Sequence, residues 1–260
     1  MKKSFILTAI TVTALALATA QAQTQRAGGG GSGGPHFGAA FSKLFGANQT
    51  FSARLEFETP NPSSGQTMTI PGKMSFDTGK SRFEMNIAEI KGSQMPPQAA
   101  AQMKQMGMDS VVSISRPDKK ATYVIYSGMQ SYFEVPLTDK TDTAPAEDFT
   151  TEVTELGKDT VDGHDCVKNK VVVSAKDGTK HESTVWNAKD LKDFPVKIEA
   201  TEQGRTTVMK FKDISFKKPD AGDFEAPAAF TKYATPQAMM QAIMTKQMGN
   251  GGMTGRPTGQ

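Results

Sequence analysis

Phe51, Ala53, Leu55 and Phe57 alternate with Ser52, Arg54, Glu56 and Glu58. Side chains two apart on a strand share a face, so this run predicts a strand with one buried side. Phe83, Met85 and Ile87 alternate in the same way with Arg82, Glu84 and Asn86. Met68, Ile70, Met74 and Phe76 keep one parity around Pro71-Gly72, which predicts a kinked or bulged strand there. Further strands are predicted over 111–115, 122–126, 132–137 and 152–156. From Val161 to Tyr233 four more runs are separated by turn signals. Val167, Val171, Val173 and Ala175 lead to the turn Asp177-Gly178, and His181 to Trp186 returns. Val196, Ile198 and Ala200 alternate with Lys197, Glu199 and Thr201 before Gln203-Gly204, and Thr206 to Phe216 comes back. Two-residue alternation broken by such corners is the pattern of antiparallel hairpins.

Helical spacing is confined to three places. Phe37, Phe41 and Phe45 recur every fourth residue in a short segment, 36–45. Pro96 to Gly107 begins with proline and ends with glycine, as helices do, and puts Met95, Ala99, Met103 and Met106 on one stripe. Thr235 to Met248 is a third, with Met240, Ile243, Met244 and Met248 on one side. The fold class predicted is α+β: a curved antiparallel sheet of about ten strands, a half-barrel, covered by short helices. Its inner face would carry Phe51, Leu55, Phe57, Phe76, Phe83, Met85, Val171, Val173 and Ile198. The two methionine-striped helices are expected to cover that face. The seam would then hold an apolar cavity lined by Phe57, Phe76, Met85, Met103, Met106, Met240 and Met244.

The ends of the chain read differently. Met1-Lys2-Lys3 is followed by an apolar run from Phe5 to Ala18 and by the small-x-small site Ala20-Gln21-Ala22. This is a secretory signal peptide, residues 1–22, with cleavage expected after Ala22 and a periplasmic or secreted product. The run is shorter than a membrane span, so no span is expected in the mature chain. Residues 23–36 are a glycine-rich flexible linker, 37–233 a single half-barrel domain, 234–248 a methionine-rich C-terminal helix, and 249–260 a glycine-rich disordered tail.

Charge and chemistry narrow the reading. The 260 residues hold 30 basic and 27 acidic side chains, and two of the basic ones are Lys2 and Lys3. Near-balance argues against nucleic acid as a partner. The single cysteine, Cys166, excludes an internal disulfide. Cys166 and His164 lie two apart, but no third group orients them, so the cysteine is expected to pack and no catalytic residue is assigned. His36, His164 and His181 are scattered, and no metal site or cofactor is assigned. Of the 15 methionines, Met103, Met106 and Met108 cluster, as do Met239, Met240, Met244 and Met248. Thioethers select Cu(I), but no His or Cys joins either cluster, and adaptable apolar lining suits them better.

Three stretches carry a family resemblance: VDGHDCVKNKV from Val161, VWNAKDLKDFPVKIE from Val185, and FKDISFKKPDAGDFEAPAAFTKY from Phe211. The chain resembles domain-of-unknown-function family 4412, secreted bacterial proteins, in its C-terminal half through these motifs and in its N-terminal half through pattern. The architecture also resembles the periplasmic lipoprotein-carrier fold, which implies a sheet closed by helices around an acyl-chain cavity. The function expected is an exported, non-enzymatic binding protein for a lipid or other apolar small molecule. The alternatives are an envelope protein–protein interaction module with a filled core, or a methionine-based Cu(I)-binding protein.

Overall fold

A computed structural model of the chain describes residues 38–61, 64–93, 95–137, 148–202 and 204–251. The expected leader, most of the linker, Phe37 and residues 252–260 lie outside the described residues, as does nearly all of the loop expected at 138–148. The chain opens with α1 (Ala39–Ser42), a helical turn that tightens into a 3-10 turn over Lys43–Phe45. A six-strand meander follows: β1 (Thr50–Pro60), β2 (Thr67–Asp77), β3 (Lys80–Asn86), β4 (Ser110–Arg116), β5 (Ala121–Tyr126) and β6 (Ser131–Pro136), with α2 (Pro97–Gln105) between β3 and β4. The second meander is β7 (Phe149–Val161), β8 (His164–Ala175), β9 (Lys180–Ala188), β10 (Phe194–Glu202) and β11 (Arg205–Ser215). The short β12 (Thr231–Tyr233) and α3 (Pro236–Gly251) end the described chain.

All twelve strands form one open, curved sheet in the order β12-β6-β5-β4-β3-β2-β1-β11-β10-β9-β8-β7. The second meander starts at the far edge and works back until β11 pairs with β1, and among the described residues only the β12–β6 pairing is parallel. Twelve strands replace the roughly ten expected: β12 is the one that no predicted run covers, and β7, predicted only over 152–156, is longer than its pattern showed. β12 is too short for a period to show. β7 is buried at Phe149 and exposed along most of its length, so alternation marks only part of it.

Local chemistry accounts for the corners. Asp162 and Gly163 both take positive φ, 48° and 87°. That is the conformation that lets a two-residue turn match the twist of a hairpin, here the one joining β7 to β8. The expected bulge at Pro71-Gly72 is absent, for β1 and β2 keep an unbroken register from Thr50–Asp77 to Pro60–Thr67. Pairing with β3 begins at Gly72, which leaves Pro71 outside that ladder. Gly72 is required for another reason. A Cβ there would lie 2.4 Å from the Phe83 ring and 2.5 Å from the Glu84 carbonyl oxygen.

The core is divided. The largest cluster lies on the concave face of β1, β2, β8–β11 and their neighbours, and includes Phe51, Leu55, Phe76, Phe83, Val173, Ile198 and Phe211. A second, of Val111, Val124, Phe133 and Met239, lies where α3 crosses β4–β6. A third lies on the opposite face, where Val112, Ile114 and Ile125 receive the wholly buried Phe224. Arg116 latches that segment in place. Its Nη1 donates to the Phe224 carbonyl at 3.1 Å and to Glu225, and its Nε and Nη2 donate to Asp118 at 2.8 and 2.7 Å.

The expected covers are rearranged. α2 has no fully buried residue, and none of its residues joins the clusters of the concave face. α3 covers only the β4–β6 end, and it does so through Met239 and Ile243 rather than Met240 and Met244. The helix phase places Met239 and Ile243 four apart on the packed side, which turns Met244 outward to 57% exposure. α3 also runs on past Met248 to Gly251.

Candidate ligand site on the concave face

The middle of the concave face is filled by the segment that precedes β1. Phe45, 1% exposed, reaches down onto rings from four strands. Its centroid lies 4.7 Å from Phe51, 5.3 Å from Phe76, and 5.7 Å from both Phe194 and Phe211. Phe41 meets it edge-on at 5.1 Å. Phe51 in turn stacks on Phe76 at 5.5 Å and meets Phe194 edge-on at 4.8 Å. Offset and edge-to-face rings attract beyond their area of contact, so this is the most strongly cohesive part of the core.

The segment that carries Phe45 is short, and its described side-chain hydrogen bonds lie at its C-terminal end. Gly38 gives α1 no side-chain cap. At the other end Gly46 turns the chain, the Gln49 amide donates to the Ser42 and Gly46 carbonyls, and Asn48 donates to the Lys192 carbonyl at 3.0 Å. Seven residues, hinged at Gly46–Gln49, therefore cover an aromatic floor supplied by the sheet. An isolated helical turn of that length has no stability of its own. It stays in place because Phe45 is buried and Phe41, Ala40 and Leu44 pack half-buried against the same cluster.

The residues expected to line a cavity are dispersed over this arrangement. Phe76 lies beneath Phe45, and Phe57 and Met85 flank the main cluster, half-buried. Met85 also touches the second cluster. Met103 and Met106 are half-buried on and just after α2, apart from all three clusters, while Met240 is half-buried and Met244 exposed on α3. Phe57, Phe76 and Met85 thus belong to or flank one cluster, six residues of strand separating the rows of Phe76 and Phe57, and Met103, Met106, Met240 and Met244 lie outside it. The residues that sequence reasoning missed are Phe194 and Phe211, which complete the floor, and Phe45 as its cover. Phe45 was visible in the four-residue spacing with Phe41, but its position over the sheet was not.

A hydroxyl patch adjoins the aromatic floor and was also missed. Ser81, Ser115 and Thr122 are register partners on β3, β4 and β5, and all are buried. They share the inward parity of Phe83, Val111 and Val124. A polar residue at an apolar position of an alternating strand was the available signal. Two rungs further along β5, in the second cluster, burial pushes the Tyr126 phenol above its ordinary value.

The remaining chemistry lies elsewhere. Cys166 is buried, its thiol donates to the His164 carbonyl at 3.3 Å, and burial pushes its pKa up. His164 does have an orienting partner, Asp190, at 2.7 Å from Nδ1. A raised thiol is held protonated, the form that is a poor nucleophile. Among the described residues no three His, Cys, Asp or Glu side chains gather into a metal site. The outer face of β1 and β11 carries cross-strand ion pairs, Glu58–Lys210 and Glu56–Lys212, at 2.8 and 2.9 Å. Among the described residues no helix is long and apolar enough to cross a membrane.

The family model for a domain of unknown function (DUF4412) matches residues 55–194, from the middle of β1 to the first residue of β10. The match begins further toward the N-terminus than the motifs implied, and the stretch from Phe211 to Tyr233 falls outside it. No curated protein matches the sequence. Among solved structures, the chain is similar to the LolA superfamily protein NE2245 from Nitrosomonas europaea, at 10% identity and TM-score 0.34, over 72% of this chain and 94% of that one. It is similar to LprF from Mycobacterium bovis at 11% identity and TM-score 0.37, over 74% and 95%. It is similar to the lipoprotein LppX from Mycobacterium tuberculosis at 10% identity and TM-score 0.37, over 65% and 88%.

Proposed function

The chain belongs to the domain-of-unknown-function family DUF4412, and from that premise we propose that it is an exported binding protein for an apolar ligand. The ligand occupies the concave aromatic floor after the Ala39–Phe45 segment swings away. The observation that carries this reading is Phe45. A ring buried on Phe51, Phe76, Phe194 and Phe211 belongs to the seven-residue segment Ala39–Phe45, not to the sheet. Removing that cover would expose one contiguous apolar surface, as a binding groove requires. Export rests on the leader read at residues 1–22, and no catalytic step is part of the proposal. A titration of the full chain with the fluorescent probe N-phenyl-1-naphthylamine tests it. The expected result is saturable binding at about micromolar Kd, or about −8 kcal/mol. A protein that leaves the probe in water at all concentrations would exclude the reading.

One observation favours a second reading, an interaction module. β7 is a thirteen-residue edge strand with no strand on its outer side among the described residues, and Val153 and Leu156 on it are 60% and 53% exposed. Such edges can accept an added strand from a partner. Under this reading the concave face is ordinary core, and the naphthylamine titration separates the two.

A further inference from the structure

The concave face changes character along a single ladder row. Phe51, Phe76, Ser81, Ser115 and Thr122 are successive register partners on β1, β2, β3, β4 and β5. Neighbouring strands lie about 4.8 Å apart, so the row runs about 19 Å across the sheet. Its first two members are stacked rings beneath Phe45. Its last three are hydroxyls. Ser115 and Thr122 are 6% and 9% exposed, and neither Ser115 Oγ nor Thr122 Oγ1 has a hydrogen-bond partner.

Two unpartnered hydroxyls opposite each other in an interior are a cost that alanine and valine, of similar shape, would avoid. The charged side chains nearby lie on the other parity. Arg116 points to the far face, where it holds Phe224, and Arg82 donates to the Asp223 carbonyl there. On β6 the row continues to Val135, 39% exposed, and its inward neighbours on the next rungs of β3–β6 are Phe83, Ser113, Val124 and Phe133. A charged head would therefore be buried here without a counter-ion, which is strongly unfavourable. An uncharged head with ester or hydroxyl oxygens matches the hydroxyls, which both donate and accept.

We propose that Ser115 and Thr122, with Ser81 beside them, are the head-group site for a neutral amphiphile of the monoacylglycerol class, whose acyl chain lies on Phe51 and Phe76 in place of Phe45. This rests on the apolar-ligand reading above and adds to it the chemistry of the head. The geometry follows from the row itself, because its apolar half is the part that the cover vacates and its polar half is contiguous with it.

The test is competition against bound N-phenyl-1-naphthylamine on the full chain, with 1-monooleoylglycerol in one arm and heptadecene, a tail without oxygens, in the other. The wild type is expected to prefer the glyceride by at least about tenfold, because buried polar groups discriminate against a ligand that leaves them unpaired. In the Ser115→Ala, Thr122→Val double variant the two affinities should converge to within about twofold, with the naphthylamine still bound and the melting temperature no lower than wild type. A double variant that keeps the preference overturns the proposal. A wild type without preference also overturns it, and leaves the hydroxyls solvated by an internal water only. If the wild type binds no naphthylamine, the apolar-ligand reading itself fails, and the head-group site falls with it.

Discussion

At Phe45 the chain sets one ring against four others drawn from β1, β2, β10 and β11, strands far apart in sequence. Truncating such a ring removes its transfer energy and leaves a cavity. Phe45→Ala should therefore lower stability by about 3–5 kcal/mol in urea unfolding. A loss below about 1 kcal/mol would mean that the floor already closes over itself without the ring. Gly72→Ala should also be costly, because its Cβ meets the Phe83 ring and the Glu84 backbone at 2.4–2.5 Å. A melting temperature unchanged in that variant would contradict the close approach. Cys166→Ala should leave fold and probe binding intact, and the native thiol should resist a thiol-labelling reagent until the protein unfolds, since burial raises its pKa. Rapid labelling of the native protein would count against this. At this scale the sequence was legible where parity decided the outcome, as at Phe51, Phe76 and Phe83. It was not legible where a third dimension decided, as at Met239 against Met240. The two are adjacent, so they face different sides of the helix, and only the docking angle of α3 selects Met239 over the predicted Met240.

At the scale of elements the Arg116 latch makes a pH-dependent claim. Hydrogen bonds from Arg116 hold Asp118 below its ordinary 3.8, and hydrogen bonds from Lys119 and then Arg116 hold Glu225 below its ordinary 4.5. A carboxylate with a lowered pKa in the folded state adds stability that is complete above its unfolded value and is lost as pH falls through the folded one. The latch should thus be intact above about pH 4.5 and weaken progressively below it. Because these carboxylates are partly exposed, the effect should be modest. Arg116→Met should flatten the acid side of a plot of urea midpoint against pH from 3 to 6, and two parallel curves would refute the assignment. Hairpins were the most legible elements, since Asp162-Gly163 and Asp177-Gly178 each mark a turn between strands that pair. The edges were the least legible. β12 takes its three residues of pairing from β6, and β7 lies mostly in solvent, so neither shows the two-sided contrast on which periodicity depends.

At the scale of the whole molecule, the curved sheet with an apolar concave face was expected from alternation alone, and its cover was misplaced. The methionine stripes drew attention to α2 and α3, yet no residue of α2 is fully buried or joins a core cluster, and α3 caps the β4–β6 end. The centre is covered by Ala39–Phe45, whose four-residue spacing of phenylalanines showed a short helix but not its place over the sheet. What distinguishes a cover from ordinary core is that it leaves when the ligand arrives. Hydrogen exchange of the full chain, with and without saturating 1-monooleoylglycerol, reads this directly. The account predicts that amides of Ser42 to Gln49 exchange faster when ligand is bound, while those of β1, β2, β10 and β11 exchange more slowly or unchanged. Saturable binding that leaves the Ser42–Gln49 amides equally or better protected would contradict it, because the ligand would then be bound without displacing Phe45.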